Sequence, residues 1–119
     1  VENIPIGSGF EIINLSAFEK SHQNGSKKHR SELCSLYIYE HQKYFKINKF
    51  LPSKNLQYPN LRLTVDTPED LLVARMIYEA LGKNGKPIKL EKIINFLHNH
   101  PEIINVNSSI PLGVTRIWE

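Results

Sequence analysis

Residues 61–81 read LRLTVDTPEDLLVARMIYEAL, and the fold turns on how this run divides. Leu61-Arg62-Leu63-Thr64-Val65 alternates apolar and polar side chains and is rich in strand formers, which predicts a half-buried strand. Asp66 follows at the carboxyl end of that strand. Thr67-Pro68-Glu69-Asp70 then carries the marks of a helix start: a hydroxyl at the N-cap, proline at the first helical position and a carboxylate at the third. Leu71, Ala74, Ile77, Tyr78 and Leu81 supply one apolar stripe, and Gly82 supplies a stop.

Working outward, residues 10–14 (FEIIN) read as a short strand entered through the turn-forming Gly7-Ser8-Gly9. Ser16 with Glu19 matches a capping box, and the helix it opens ends at Asn24-Gly25-Ser26. A second helix is predicted from Ser31 through residues 34–41, with Leu33, Leu36, Tyr37 and Glu40 spaced by three and four. Residues 44–47 suggest another strand, before a polar loop through Pro52 and Pro59. Past Gly82, residues 89–99 predict a third helix, with Leu90, Ile93, Ile94 and Leu97 on one face and Pro101 beyond its end. The tail from residue 103 has no clear periodicity. Strands alternating with helices imply an α/β or α+β arrangement. Two or three strands are few for a self-sufficient sheet, so the chain is expected to be one piece of a larger sheet or to pair with a partner.

A chain of 119 residues, 40% hydrophobic and 23% charged, has the composition of one small globular domain. No apolar run approaches the roughly 18 residues of a membrane span. Val1-Glu2-Asn3-Ile4-Pro5 lacks the basic-then-apolar order of a signal peptide, so a cytoplasmic protein is expected. Cys34, in the apolar run Leu33-Cys34-Ser35-Leu36, excludes an internal disulfide and reads as a buried packing residue. The net charge of +3 gathers in Lys27-Lys28-His29-Arg30 and in Lys43, Lys46 and Lys49, with Tyr37, Tyr39, Tyr44 and Phe45 between. No nucleic-acid motif accompanies it, and a solvated basic face is the expectation. His98 and His100 would point about 200° apart on a helix, which disfavours a shared metal. Gly82-Lys83-Asn84-Gly85-Lys86 follows a helix and reads as a turn rather than a phosphate loop.

Asp66 is the residue with chemistry to offer. Open α/β sheets bind their ligands beyond the carboxyl ends of strands, and a carboxylate there can hold a hard cation such as magnesium. The plainer alternative is that a carboxylate before a helix start complements the helix dipole, worth about 0.3–1 kcal/mol.

Residues 61–81 closely resemble the late segment of the cytidylyltransferases of the spore-coat polysaccharide biosynthesis F group, relatives of the acylneuraminate and 3-deoxy-manno-octulosonate enzymes, whose version reads much like "RLTVDTPEDLELVRAIYEAL". Weaker echoes flank the match. Gly9-Phe10-Glu11-Ile12-Ile13 is similar to the family's "DVEVF" strand, residues 31–39 to its "REHVTPYIY" helix, and residues 89–104 to its closing helix and "HPEL" end. Departures fall at Gly9, Ser31, Leu33 and Leu36, where the family has aspartate, arginine, histidine and proline.

The resemblance implies the carboxy-terminal part of a Rossmann-like nucleotide-diphospho-sugar transferase fold, a three-layer α/β/α sandwich with an incomplete sheet. It implies one domain over residues 1–119, with a strand, helices and dimerisation region in 1–58 and the metal-aspartate strand and closing helices in 59–119. Asp66 would be a magnesium ligand, Glu11 would line or support a sugar pocket, and CMP would pass from CTP to a sugar acid in surface polysaccharide biosynthesis. The glycine- and basic-rich loop that holds CTP in the family has no counterpart here, so the chain alone is expected to be inactive. The alternative is a non-catalytic oligomerisation or regulatory module of the same descent. Either way a homo-oligomer is expected, with neither nucleic acid nor membrane as partner.

Overall fold

Five α-helices carry the architecture of the computed structural model, which describes residues 2–30, 34–83 and 85–111: α1 (Leu15–Asn24), α2 (Leu36–Glu40), α3 (Pro68–Leu81), α4 (Leu90–His98) and α5 (Pro101–Asn107). Short 3-10 turns occupy Lys27–Arg30, Gln42–Tyr44 and Lys54–Leu56. The chain divides into two compact units, one of Val1–Gly9 with Leu51–Glu119 and one of Phe10–Phe50. No helix among the described residues is long and apolar enough to cross a membrane.

The first unit is built around α3. Thr67 Oγ1 accepts the Asp70 amide and Asp70 returns a carboxylate to the Thr67 amide, so the expected capping box forms, with Pro68 in the first turn and Gly82 at the far end. Val73 and Ile77 face inward from α3, Ile94 and Leu97 from α4, and Ile103 from α5; with Leu61 they make a core of residues each less than a tenth exposed. Truncating one of these to alanine removes buried methylenes and leaves a cavity, at a cost of about 2–5 kcal/mol. The stripe on α4 is the one read from the sequence. The stripe on α3 is turned: Leu71 and Tyr78 are 42% and 57% exposed, and Val73 takes the inward place. Helix α5 has no counterpart in the sequence reading. Pro101 lies beyond the end of α4, as expected, and also occupies the first turn of this new helix, where a missing N–H carries no penalty.

The expected α/β sandwich is overturned. Among the described residues no β-strand forms, only an isolated parallel bridge between Ile6 and Arg62. Ile6 donates to Leu61 O at 2.8 Å and accepts from the Leu63 amide at 2.8 Å. Gly7 makes this approach possible: its φ is +88°, and a Cβ there would sit 2.4 Å from the Thr64 nitrogen. Residues 61–65 have the strand composition, but strand propensity describes fitness for a pleated neighbour, and a ladder needs one. Residues 10–14 run without regular structure, with Phe10 62% and Ile12 90% exposed. At 44–47 the backbone is taken by turn bonds, Tyr44 N to His41 O and Phe45 N to Gln42 O, each 3.0 Å.

In the second unit α1 begins before the expected cap. Asn14 is the N-cap, with no side-chain bond, and its carbonyl accepts from Ala17 and Phe18. Gly25 closes α1 through Ser21 O at 2.8 Å, as the sequence predicts. The second helix is cut to Leu36–Glu40, with Cys34 and Ser35 in a turn before it; Ser31 and Leu33 lie outside the described residues. Among the described residues of this unit only Ser21 and His29 are buried.

Candidate functional site

The start of α3 gathers a tight set of charged groups, Arg62, Asp66 and Asp70. Arg62 comes from the extended run before it and lays its guanidinium along Asp70 in a two-pronged pair, Nε to Oδ1 at 2.8 Å and Nη2 to Oδ2 at 2.9 Å. Asp70 Oδ2 also accepts the amides of Asp66 and Thr67, each at 3.1 Å, and Oδ1 accepts Asn107 Nδ2 at 2.9 Å. Asn107, on α5, donates as well to Arg62 O at 3.2 Å. The Asp70 side chain is fully buried, and the Arg62 side chain is only 7% exposed.

Bonds of this kind favour the ionised carboxylate. The Arg62 guanidinium, against the opposing effect of burial, holds Asp70 well below the usual carboxylate range, with Asn107 and the Asp66 amide helping. The Asp70 carboxylate raises Arg62 in turn. A carboxylate ringed by donors is a poor base, and Arg62 spends both Nε and Nη2 on carboxylates. This network is a structural clamp. Buried ion pairs of this geometry tolerate replacement of both partners far better than loss of one.

Asp66 stands at the edge of the clamp. Its Oδ2 accepts from Arg62 Nη2 at 3.0 Å and from Thr64 Oγ1 at 3.2 Å, and its side chain is 53% exposed. The implied magnesium ion finds a poor donor set here. One of its two oxygens is shared with a guanidinium, the neighbouring carboxylate of Asp70 is spoken for, and no group of three His, Cys, Asp or Glu side chains suited to a metal occurs among the described residues. Glu11 lies in the other unit, exposed, where it accepts the Tyr39 hydroxyl. Cys34, expected to be buried, is exposed.

Two features escaped the sequence reading. One is an apolar cleft of about 220 Å³ beside α3, walled by Leu63, Val73, Ala74, Ile77, Tyr78, Ile88 and Ile93, with Arg62 and Asp70 also in its lining. The other is a ring cluster in the second unit. Tyr37 stacks on His41 (4.1 Å between centroids, 19° between planes), and Tyr44 lies near-parallel to His41 (6.4 Å, 20°). His29 sits edge-on to Tyr37 at 5.2 Å. The Ser26 amide donates to His29 Nδ1 at 2.8 Å, which makes Nδ1 the acceptor and places the ring proton on Nε2, facing Glu40 Oε2 at 2.8 Å. That bond, followed by one from Lys28 Nζ at 2.7 Å, lowers Glu40 to about 2. A regular spacing of rings at 37, 41 and 44 was the available signal; the cleft had none.

These features describe a small helical protein with a buried charge clamp, and its likenesses to known proteins are partial. No family model matches, and no solved structure matches. The chain is 33% identical over 111 residues to the uncharacterized protein MJ1063 of Methanocaldococcus jannaschii, covering 92% of this chain and 44% of that protein. It is 24% identical over 101 residues to the spore coat polysaccharide biosynthesis protein SpsF of Bacillus subtilis, covering 84% of this chain and 42% of that one. The chain thus spans less than half the length of these curated relatives. The likeness to SpsF is distant, and a helical structure with no sheet among its described residues does not support membership of the cytidylyltransferases. The CMP-transfer activity, its transferase fold and the module of the same descent fall with it.

Proposed function

We propose that the chain works by binding protein, through the outer side of α3 and the cleft beside it. The observation that carries this is that α3 is apolar on two sides. At about 100° per residue, Leu71, Leu72 and Tyr78 fall on the half of the helix opposite Val73 and Ile77. All three are 42–57% exposed, and Val65 just before the helix is 52% exposed. A helix with one partner shows one apolar stripe; a helix apolar around most of its circumference is one that becomes buried on both sides. The cleft continues this surface inward, since Tyr78 is both one of its walls and part of the outer face. Arg75 and Glu79 fall between Leu71 and Leu72 around this outer half, so the face carries charged groups among its apolar ones.

The occupant is further polypeptide of the kind its longer relatives carry. Both proteins contain more than half their length outside the segment that matches this chain, and an apolar face on the matched segment is what such an addition would cover. The test mixes this chain with the separately produced remainder of the Methanocaldococcus relative, read by calorimetry and sedimentation. A one-to-one complex is expected, with Leu71→Asp and Tyr78→Asp each weakening it at least tenfold, about 1.4 kcal/mol. Helical content matching the unsubstituted chain controls for folding. A monomer that binds nothing, or variants that bind as the parent does, refutes the reading; self-association through α3 replaces the occupant with a second copy.

A further inference from the structure

All of the net positive charge belongs to the second unit. Residues 10–50 hold seven Lys and Arg against four Asp and Glu, while the rest of the chain holds eight against eight. Within that unit the rings of Tyr37, His41 and Tyr44 form a column whose successive planes differ by 19° and 20°. The column starts beside the buried His29 and ends at Tyr44, which is 54% exposed. Two ammonium groups stand at its outer end: Lys43 Nζ is 4.9 Å from the Tyr44 centroid, and Lys20 Nζ is 5.6 Å from Tyr44 and 5.3 Å from Phe45. Lys20 also donates to Tyr44 O at 3.3 Å, which ties α1 to the ring. Lys46 follows, exposed.

We infer that this column is a stacking platform for a single-stranded nucleic acid, with a base on Tyr44 and phosphates on Lys20, Lys43 and Lys46. A planar π surface flanked by mobile cations is the arrangement that holds unpaired strands without reading their sequence, because every base has a π face and every linkage a charge. Each lysine now resting on a ring can swing to a phosphate and leave the ring for the base. Charge alone would suit an anionic membrane equally; the parallel order of the rings is what selects bases. The sequence reading expected no such partner, since the column exists only once α2 and the following turn bring positions 37, 41 and 44 together.

The test is fluorescence anisotropy of a labelled twelve-nucleotide oligouridine with the whole chain. Binding in the micromolar range at 50 mM salt is expected, falling about twentyfold at 200 mM if three phosphates are neutralised. Tyr44→Ala should weaken it at least fivefold while Tyr44→Phe retains it. Lys20→Gln with Lys43→Gln should reduce the salt dependence, and Lys54→Gln, in the other unit, should change nothing. The inference is overturned by absent binding, by a Tyr44→Ala variant indistinguishable from the parent, by heparin or UMP competing as well as the oligonucleotide, or by phosphatidylserine vesicles binding while the oligonucleotide does not.

Discussion

Replacing Asp70 by asparagine keeps the shape of the side chain and one acceptor oxygen, but leaves the Arg62 guanidinium, 7% exposed, without its buried counter-charge. Asp66 cannot compensate: it reaches Arg62 with a single bond of 3.0 Å and is itself half in water. Breaking a buried pair in this way costs about 3–5 kcal/mol. A unit of this size has roughly 4–10 kcal/mol in all, so Asp70→Asn should bring the first unit close to its unfolding midpoint at room temperature. Urea titration followed by circular dichroism at 222 nm measures it. Two companions separate charge from packing. Asp66→Asn should cost less than about 1 kcal/mol, as exposed pairs do. Arg62→Met with Asp70→Leu should recover much of the loss, since removing both charges strands neither. An Asp70→Asn variant within about 1 kcal/mol of the parent, or a double variant as unstable as the single one, would refute the clamp.

Thr67→Ala removes the hydroxyl that accepts the Asp70 amide at 3.3 Å and should cost about 0.5–2 kcal/mol of first-unit stability; a null effect by the same titration would show that Pro68 and Asp70 hold the helix start unaided. Glu40 is held near 2 in the folded chain against an ordinary value of 4.5. Its depressed value means that its contribution is complete above about 4.5 and drains away as pH falls toward 2. Glu40→Gln should therefore flatten the acid-induced change in the His29 and Tyr37 resonances over that interval, and an unchanged profile would count against the His29–Glu40 contact.

What could be read in the sequence was what neighbours in the chain decide among themselves. The Thr67-Pro68-Asp70 start, the stops at Gly25 and Gly82 and the Ile94–Leu97 stripe are settled within a turn or two. The expected strands failed because residues 10–14 and 61–65 have strand composition, whereas a strand is a relation to a second segment. Helix α5 was missed because Pro101 stops one helix and starts the next, and because its two buried residues, Ile103 and Asn107, make too short a pattern to see. Of the clamp, only the Asp70 cap was legible. Arg62 sits eight residues before Asp70 and Asn107 thirty-seven after it, separations at which no local rule operates. Leu71 and Tyr78 read as core because they are apolar at helical spacing; spacing says that a helix has such a stripe, not which neighbour meets it.

The placement of Asn107 has a consequence for how the chain acquires its structure. A capping box is ordinarily a local event, complete as soon as one turn winds. Here its carboxylate is also the seat of a guanidinium from upstream and of an amide from the last described helix, and the Arg62 carbonyl joins that same amide across 45 residues. The opening turn of α3 can therefore wind from local signals, but it gains its full set of bonds only when residues 62 and 107 close on it. Nucleation and completion share one side chain, which ties the helices into a single cooperative transition instead of a sequence of independent ones.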